Sequence, residues 1–135
     1  MAEAERPLPR FPEPDTEPFW RATREHRLVY PVCRSCGGVV FYPRRHCTHC
    51  GGDDLEWRTS AGLGTVYTFT VIRQHGHPWF KSRLPYVVAF VDLDEGFRLM
   101  THVVGTDPEA VRVGQRVRLT WEDVGEVALP VFEPA

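Results

Sequence analysis

Long apolar runs are missing from this chain of 135 residues. No stretch approaches the roughly 20 residues that a bilayer-spanning helix needs, and the segment from Met1 to Arg10 holds no apolar core of the secretory type. A soluble, cytoplasmic protein is the expectation. An excess of positive charge is missing as well: 16 Lys and Arg stand against 18 Asp and Glu, for a net charge of -2 and a pI near 6.3. No overall cationic field is offered to phosphate backbones, which argues against a general nucleic-acid binder. Lysine is almost absent, with Lys81 its single representative; this hints at G+C-rich codons and carries no mechanism. Reactive signatures are absent too, with no Gly-x-Ser-x-Gly elbow, phosphate loop or His-Glu-x-x-His. An independent enzyme is not expected, and 15.5 kDa leaves room for one small domain or two very small ones.

What is present begins with prolines. Pro7, Pro9, Pro12 and Pro14 each fix their own φ and push the preceding residue away from helix, so this stretch is read as an extended arm. A short helix is expected over Thr16 to His26, capped by Asp15, with Glu17 and Pro18 in its first turn and Arg24, His26 and Arg27 near its end. So short a helix is marginal alone, and Phe19 and Trp20 must dock on something. Arm and helix together occupy residues 1–27.

From Leu28 onward the pattern changes to short strand-like pieces, Leu28–Val32, Val39–Tyr42 and Leu55–Arg58, separated by two Cys-x-x-Cys-Gly-Gly turns. All four cysteines fall into one constellation, Cys33-x2-Cys36-x10-Cys47-x2-Cys50, and tetrahedral zinc takes four thiolates from two such turns. Residues 28–57 are read as a rubredoxin-like zinc ribbon holding structural Zn2+, with iron, disulfides or loss of metal as alternatives. Four thiolates leave no open coordination position, so the metal is not expected to be catalytic. His46 and His49 stand beside the ligands as knuckle residues, and Arg34, Arg44 and Arg45 are candidates to offset the negative site.

Past Gly62 and Gly64, the stretches Thr65–Ile72, Tyr86–Leu93, Phe97–Val104, Arg116–Trp121 and Val127–Phe132 are rich in Val, Thr and aromatics and bounded by Gly, Pro and Asp. Five strands, with a helical turn at Asp107-Pro-Glu-Ala-Val between the third and fourth, suit a small closed barrel of the OB type over residues 58–135 better than an open sheet. The fold class is therefore mainly β.

With the ribbon placed ahead of such a barrel, the sequence resembles the family called domain of unknown function thirty-five (DUF35). The residues that carry the resemblance are Pro14-Asp15, Pro18-Phe19-Trp20, the two knuckles, Pro43-Arg44, Leu55-Glu56-Trp57, Gly62-Leu-Gly64-Thr-Val-Tyr-Thr, and the run from Pro85 to Gly96. What it implies is a non-catalytic accessory subunit that binds a thiolase-like enzyme as a hetero-oligomer and helps form its acyl-CoA channel. The most specific form of that implication is a partner of a steroid side-chain-degrading aldolase.

The barrel strands add a reading of their own. In Thr65–Ile72 the pleat sets Tyr67, Phe69 and Val71 against Val66, Thr68, Thr70 and Ile72, so one face is a core face. In Tyr86–Leu93 both faces are apolar: Val87, Ala89, Val91 and Leu93 fill the interior, and Tyr86, Val88 and Phe90 need cover from the same chain or from a partner. The 74–85 loop is too long for a tight hairpin and gathers His75, His77, Trp79, Phe80, Lys81 and Arg83. Trp79 and Phe80, with Tyr86, Val88 and Phe90, are the candidate partner interface; Lys81 and Arg83 are the candidate contacts to CoA, at the rim or on its phosphates. The alternative is a loop folded over its own barrel. No carboxylate or nucleophile is fixed beside His75 and His77, so no catalytic residue is assigned. The rival function is a single-stranded nucleic-acid module using Arg98, His102, Arg116 and Arg118 along one side of their strands.

Overall fold

The computed structural model describes residues 5–10 and 13–135. Pro12 of the expected arm lies outside the described residues. The first helix, α1, spans Glu17–Thr23 and is shorter than the sequence suggests, with Thr16 and not Asp15 at its N-cap position. Burial explains where it stops. The Thr23 hydroxyl donates to the Trp20 carbonyl at 2.6 Å and accepts the Ala128 amide at 3.2 Å, which ties the helix end to the last strand. His26 then turns the chain with a φ of 55°.

The ribbon is a two-stranded antiparallel pair, β1 (Val29–Cys33) and β2 (Leu55–Thr59), in the register Val29 opposite Thr59 and Cys33 opposite Leu55. The strand expected at Val39–Tyr42 shrinks to a single bridge between Val32 and Val39, because the chain leaves the ribbon there and carries Phe41 to the helix. The rings of Phe41 and Phe19 are 6.0 Å apart.

Five strands follow: β3 (Leu63–Ile72), β4 (Tyr86–Leu93), β5 (Arg98–Val103), β6 (Arg116–Val124) and β7 (Val127–Pro134). They close a barrel in the order β3-β4-β5-β7-β6, with β5 and β7 meeting in parallel at Val103 and Phe132. A four-residue helix, α2 (Pro78–Lys81), sits between β3 and β4, and a 3-10 turn at Pro108–Ala110 is capped by Asp107 as expected. Strand β6 runs three residues past the expected Trp121, since its pairing with β7 continues to Val124 opposite Val127.

Simple alternation fails in β3. The register against β4 shifts between Val66 and Thr68, so Tyr67 and Thr68 both face outward and the core side resumes at Phe69 and Val71. Tyr67 is thus 52% exposed, under the Arg98 guanidinium at 3.5 Å from its ring centre. Strand β4 keeps the expected alternation, with Val87, Ala89, Val91 and Leu93 buried.

Helix, ribbon base and barrel share one core. Phe19, Leu28, Tyr30 and Val32 join Val66, Val87, Val91, Val117 and Phe132 in a single buried cluster, and Tyr30 stacks on Phe97 at 4.8 Å. The tip of the ribbon has only Cys33, Val40 and Cys47, backed by Leu55. So small a cluster cannot hold its own loops.

Candidate functional site

Each knuckle begins as a tight turn in which Gly37 or Gly51 takes a φ of 77° or 78°, a region open to glycine at little cost. These turns aim amides at sulfur: Gly38 donates to Cys36 Sγ at 3.4 Å, His49 to Cys47 Sγ at 3.3 Å and Gly52 to Cys50 Sγ at 3.4 Å. The four sulfurs all lie within 4.8 Å of one another, with Cys33 and Cys50 3.6 Å apart and Cys36 and Cys47 3.5 Å apart. A tetrahedron with Zn–S bonds of about 2.3 Å has edges of roughly 3.8 Å, so the residues fit the ion. The Cys36 and Ser35 amides hold the Cys33 thiol below its ordinary value. Burial pushes Cys47 up, yet the Cys50 and His49 amides and the neighbouring thiols outweigh it and bring it to about 6. The Cys47 sulfur is therefore ready as a thiolate near neutrality. This is a structural zinc site. His49 is committed elsewhere, its Nε2 3.1 Å from the Val39 carbonyl oxygen. Arg34 pairs with Asp54 and Glu56, and Arg45 lies 4.0 Å from Asp15.

The zinc loop also positions Phe41, Tyr42 and Pro43, and with them a second feature. Between this loop, α1 and the outer face of β4 and β5 lies an apolar cleft of about 600 Å3. Phe19, Trp20 and Phe41 form one wall. Phe90, paired across the strands with Met100, forms another, and Leu129 to Val131 of β7 close the floor. The Tyr42 hydroxyl accepts the Met100 amide at 3.0 Å, locking the zinc loop to β5.

The expected interface residues separate into two groups. Trp79, Phe80 and Tyr86 cluster at the 74–85 loop, where His77 Nδ1 accepts the Trp79 amide at 3.1 Å and so caps α2. Phe80 packs at 5.8 Å from Tyr86. Two guanidiniums pack over the Trp79 ring, Arg6 at 4.3 Å and Arg83 at 4.0 Å from its centre, and Arg6 is also ion-paired with Glu122. Lys81 is exposed. Phe90 belongs to the cleft, and half-buried Val88 lies between the groups, opposite His102. Arg6, Tyr42 and Met100 were missed from sequence. Tyr42 had a visible signal, an aromatic pair between two metal knuckles; Arg6 had none, because its partners come from Trp79 and Glu122 far along the chain.

His102 joins the two groups, its ring tilted against Tyr86 at 5.0 Å and lining the cleft. Burial, and after it the Arg6 guanidinium, hold its pKa below the ordinary histidine value. The unfolded chain then binds more protons than the native one between the depressed value and about 6.5, so stability is complete above that pH and falls as pH drops through the window. His102→Gln should flatten the slope of melting temperature against pH below about 6.5; an unchanged slope would assign it to other groups.

The stripe of cations considered for nucleic acid is neutralised in place. Arg98 pairs with Asp92 at 2.6 Å, Arg116 with Asp94 at 2.8 Å and Arg118 with Glu133 at 2.9 Å.

Two family models match the chain: the rubredoxin-like zinc ribbon domain of ChsH2 over residues 20–56 and the C-terminal OB-fold domain of ChsH2 over residues 57–122. A DUF35 domain-containing scaffold protein of Methanothermobacter thermautotrophicus is 32% identical over 114 residues, which are 83% of this chain and 85% of that protein. The chain belongs to the DUF35 family. Within it, a probable enoyl-CoA hydratase alpha subunit of Thermomonospora curvata is 41% identical over 119 residues, 87% of this chain but 37% of the relative. The 3-oxo-4,17-pregnadiene-20-carboxyl-CoA hydratase alpha subunit of Mycobacterium tuberculosis is 32% identical over 122 residues, 89% of this chain and 38% of the relative. This DUF35 chain thus spans little more than a third of those two proteins. A solved chain described as Ltp2-ChsH2(DUF35) aldolase superposes with a TM-score of 0.86 at 37% identity, covering 93% of this chain and 98% of that one. No helix among the described residues is long and apolar enough to cross a membrane.

Proposed function

We propose that this DUF35 chain is a non-catalytic accessory subunit, docking on a thiolase-like acyl-CoA enzyme and contributing a wall of its acyl-CoA channel, most specifically in a steroid side-chain-degrading aldolase. The observation that carries the reading is a preformed, mainly apolar cleft. Most of its lining is aromatic or aliphatic, with Arg6, Thr16, Thr101 and His102 among the rest, while all four cysteines sit together in the metal cluster. Such a surface binds and shapes without reacting. The likeness to the aldolase chain and to CoA hydratase subunits supports the same class. In this reading Trp79, Phe80 and Tyr86 meet the partner, and exposed Lys81 and Arg83 reach toward the CoA phosphates. A nucleic-acid role is not favoured, because Arg98, Arg116 and Arg118 are already ion-paired.

The test is reconstitution. The purified chain should show no turnover of acyl-CoA esters by itself and should co-elute with, and activate, a thiolase-like aldolase encoded beside it. Cleavage or condensation by the chain alone would overturn the assignment, as would failure of every such neighbour to associate.

A further inference from the structure

The barrel does not close evenly. Strands β5 and β7 pair at Val103 and Phe132, where the Val104 amide donates to the Phe132 carbonyl at 2.7 Å, and the ladder goes no further. The phase of β5 shows what this leaves open. The Leu93 amide donates to the Phe97 carbonyl at 2.8 Å, and in the register of Val91 with Leu99 and Ala89 with Thr101 the odd-numbered residues of β5 are then the ones bonded to β4. Met100 therefore turns its amide and its carbonyl away from β4, into the seam.

The β7 side of that seam is blunted. The Leu119 amide donates to the Gly62 carbonyl at 2.7 Å, so Phe132 opposite it faces the seam, and Pro130 and Ala128 follow at every second residue. One more step of the parallel ladder would bring the Met100 carbonyl to the amide of residue 130, and a proline has none. The Pro130 carbonyl accepts the Thr101 hydroxyl at 2.8 Å, and the Ala128 amide is taken by Thr23 Oγ1 at 3.2 Å. On the β5 side the Met100 amide is answered by a side chain, the Tyr42 hydroxyl at 3.0 Å, and its carbonyl meets no strand amide. An open strand edge of this kind is a template for another strand.

Resting on the accessory-subunit reading, we propose that the β5 edge at Met100 is a pairing site for an extended peptide segment of the partner enzyme, which adds to the barrel as a short strand and displaces the Tyr42 hydroxyl. The acyl-CoA channel is then walled by both chains. Tyr42 is a placeholder: 46% exposed, it is free to turn outward, and its oxygen stands where a strand carbonyl would accept the Met100 amide. Backbone pairing asks for an amide beside a carbonyl on an extended chain, which the hydrocarbon part of an acyl group does not carry. The walls set the composition of the segment. Arg6 is neutralised by Glu122, and Phe19, Trp20, Phe41, Leu129 and Val131 line the rest of that side, so the segment is uncharged and apolar at every second residue. A second copy of this chain does not fit, because its own β5 edge lies behind α1 and the zinc loop and cannot enter an identical cleft.

The experiment measures fluorescence anisotropy of short overlapping synthetic peptides, together covering the thiolase-like aldolase encoded beside this chain, against the zinc-loaded full chain. One group of overlapping peptides should bind saturably and compete with the intact aldolase. Met100→Pro removes a single seam-facing amide and leaves the β4 ladder intact; it should weaken that binding at least about tenfold, whereas Met100→Leu stays within about twofold. Tyr42→Phe should tighten it severalfold, because the Met100 amide is then unanswered in the free chain. Where Met100→Pro fails to fold, N-methylation of the peptide one amide at a time replaces it, and at least one position should abolish binding. No saturable peptide, equal effects of Met100→Pro and Met100→Leu, weaker binding in Tyr42→Phe, or tolerance of N-methylation at every position would each overturn the inference. So would self-association of the chain that Met100→Pro abolishes, or binding of free pantetheine, whose arm also bears amides, with the same dependence on Met100 when no peptide binds. Co-elution of the intact aldolase that survives in Met100→Pro removes this inference and leaves the subunit reading standing, while an aldolase that never associates with the wild-type chain refutes the reading itself.

Discussion

Replacing Cys36 with Ser should lower zinc content and melting temperature together, by about 10 °C or more, and should also open the apolar cleft. The reasoning starts from how little apolar material holds the ribbon tip: Cys33, Val40 and Cys47, with Leu55 against them. Two of those three buried residues are themselves ligands, so the cluster exists only while the metal holds it. Loss of a metal site belongs to the short list of changes that produce large destabilisation, and for a chain of this size a shift of that order in melting temperature is expected. The ribbon base responds differently, because Leu28, Tyr30 and Val32 are packed in the barrel core. A chelator should therefore release residues between the knuckles before the barrel unfolds, which hydrogen exchange would resolve as early loss of protection around 34–54 with β3 to β7 still protected. Phe41 and Tyr42 sit inside that released segment and line the cleft. Metal removal should accordingly reduce ligand and partner binding as well as stability. A metal-free protein with an undiminished melting temperature would refute the assignment of zinc as the organiser of the ribbon.

The metal site was legible because its information is local. Two Cys-x-x-Cys-Gly-Gly turns state the ligands, their spacing and the glycines that free the backbone, and the sulfurs do come together. The barrel was legible for a similar reason: each strand declares itself by β-branched and aromatic residues between turn residues, and five strands with a helical turn after the third admit few closures. Tyr67 shows where this logic stops. A bulge adds one residue to a strand without any compositional mark, and every side chain beyond it changes face. The cleft lay further out of reach, because its walls come from α1, the zinc loop, β4, β5 and β7, segments whose proximity is a property of the packed whole. Phe90 could be singled out as an outward apolar residue, but its companions Met100 and Tyr42 became visible only once β5 was seen to donate to the zinc loop.

Trp79→Ala should weaken assembly with the partner enzyme by about 2 kcal/mol or more, roughly 30-fold in Kd, while Lys81→Ala leaves assembly within a few-fold of wild type. Trp79 is suited to this because it is rigid before binding: its amide is capped by His77, its ring stands edge-on to Phe80 at 5.0 Å, and the Arg6 and Arg83 guanidiniums pack over the ring. A large half-buried ring that is already ordered meets a partner with little further loss of entropy. Lys81, exposed on a flexible stem, is a rim group by comparison, and rim charges act more on association rate and salt dependence than on affinity. Its expected effect, shared with Arg83, lies in catalysis: substitution should raise KM for CoA esters several-fold in the assembled complex with kcat preserved, the pattern of lost uniform binding. The competing account makes the Arg6–Trp79–Arg83 stack purely a fastening of the arm and the loop to the barrel. The two separate cleanly, since a fastening predicts that Trp79→Ala lowers the melting temperature of the isolated chain while leaving partner affinity intact, and that Arg6→Ala reproduces it. An interface anchor predicts the reverse order, with affinity lost far beyond any change in stability.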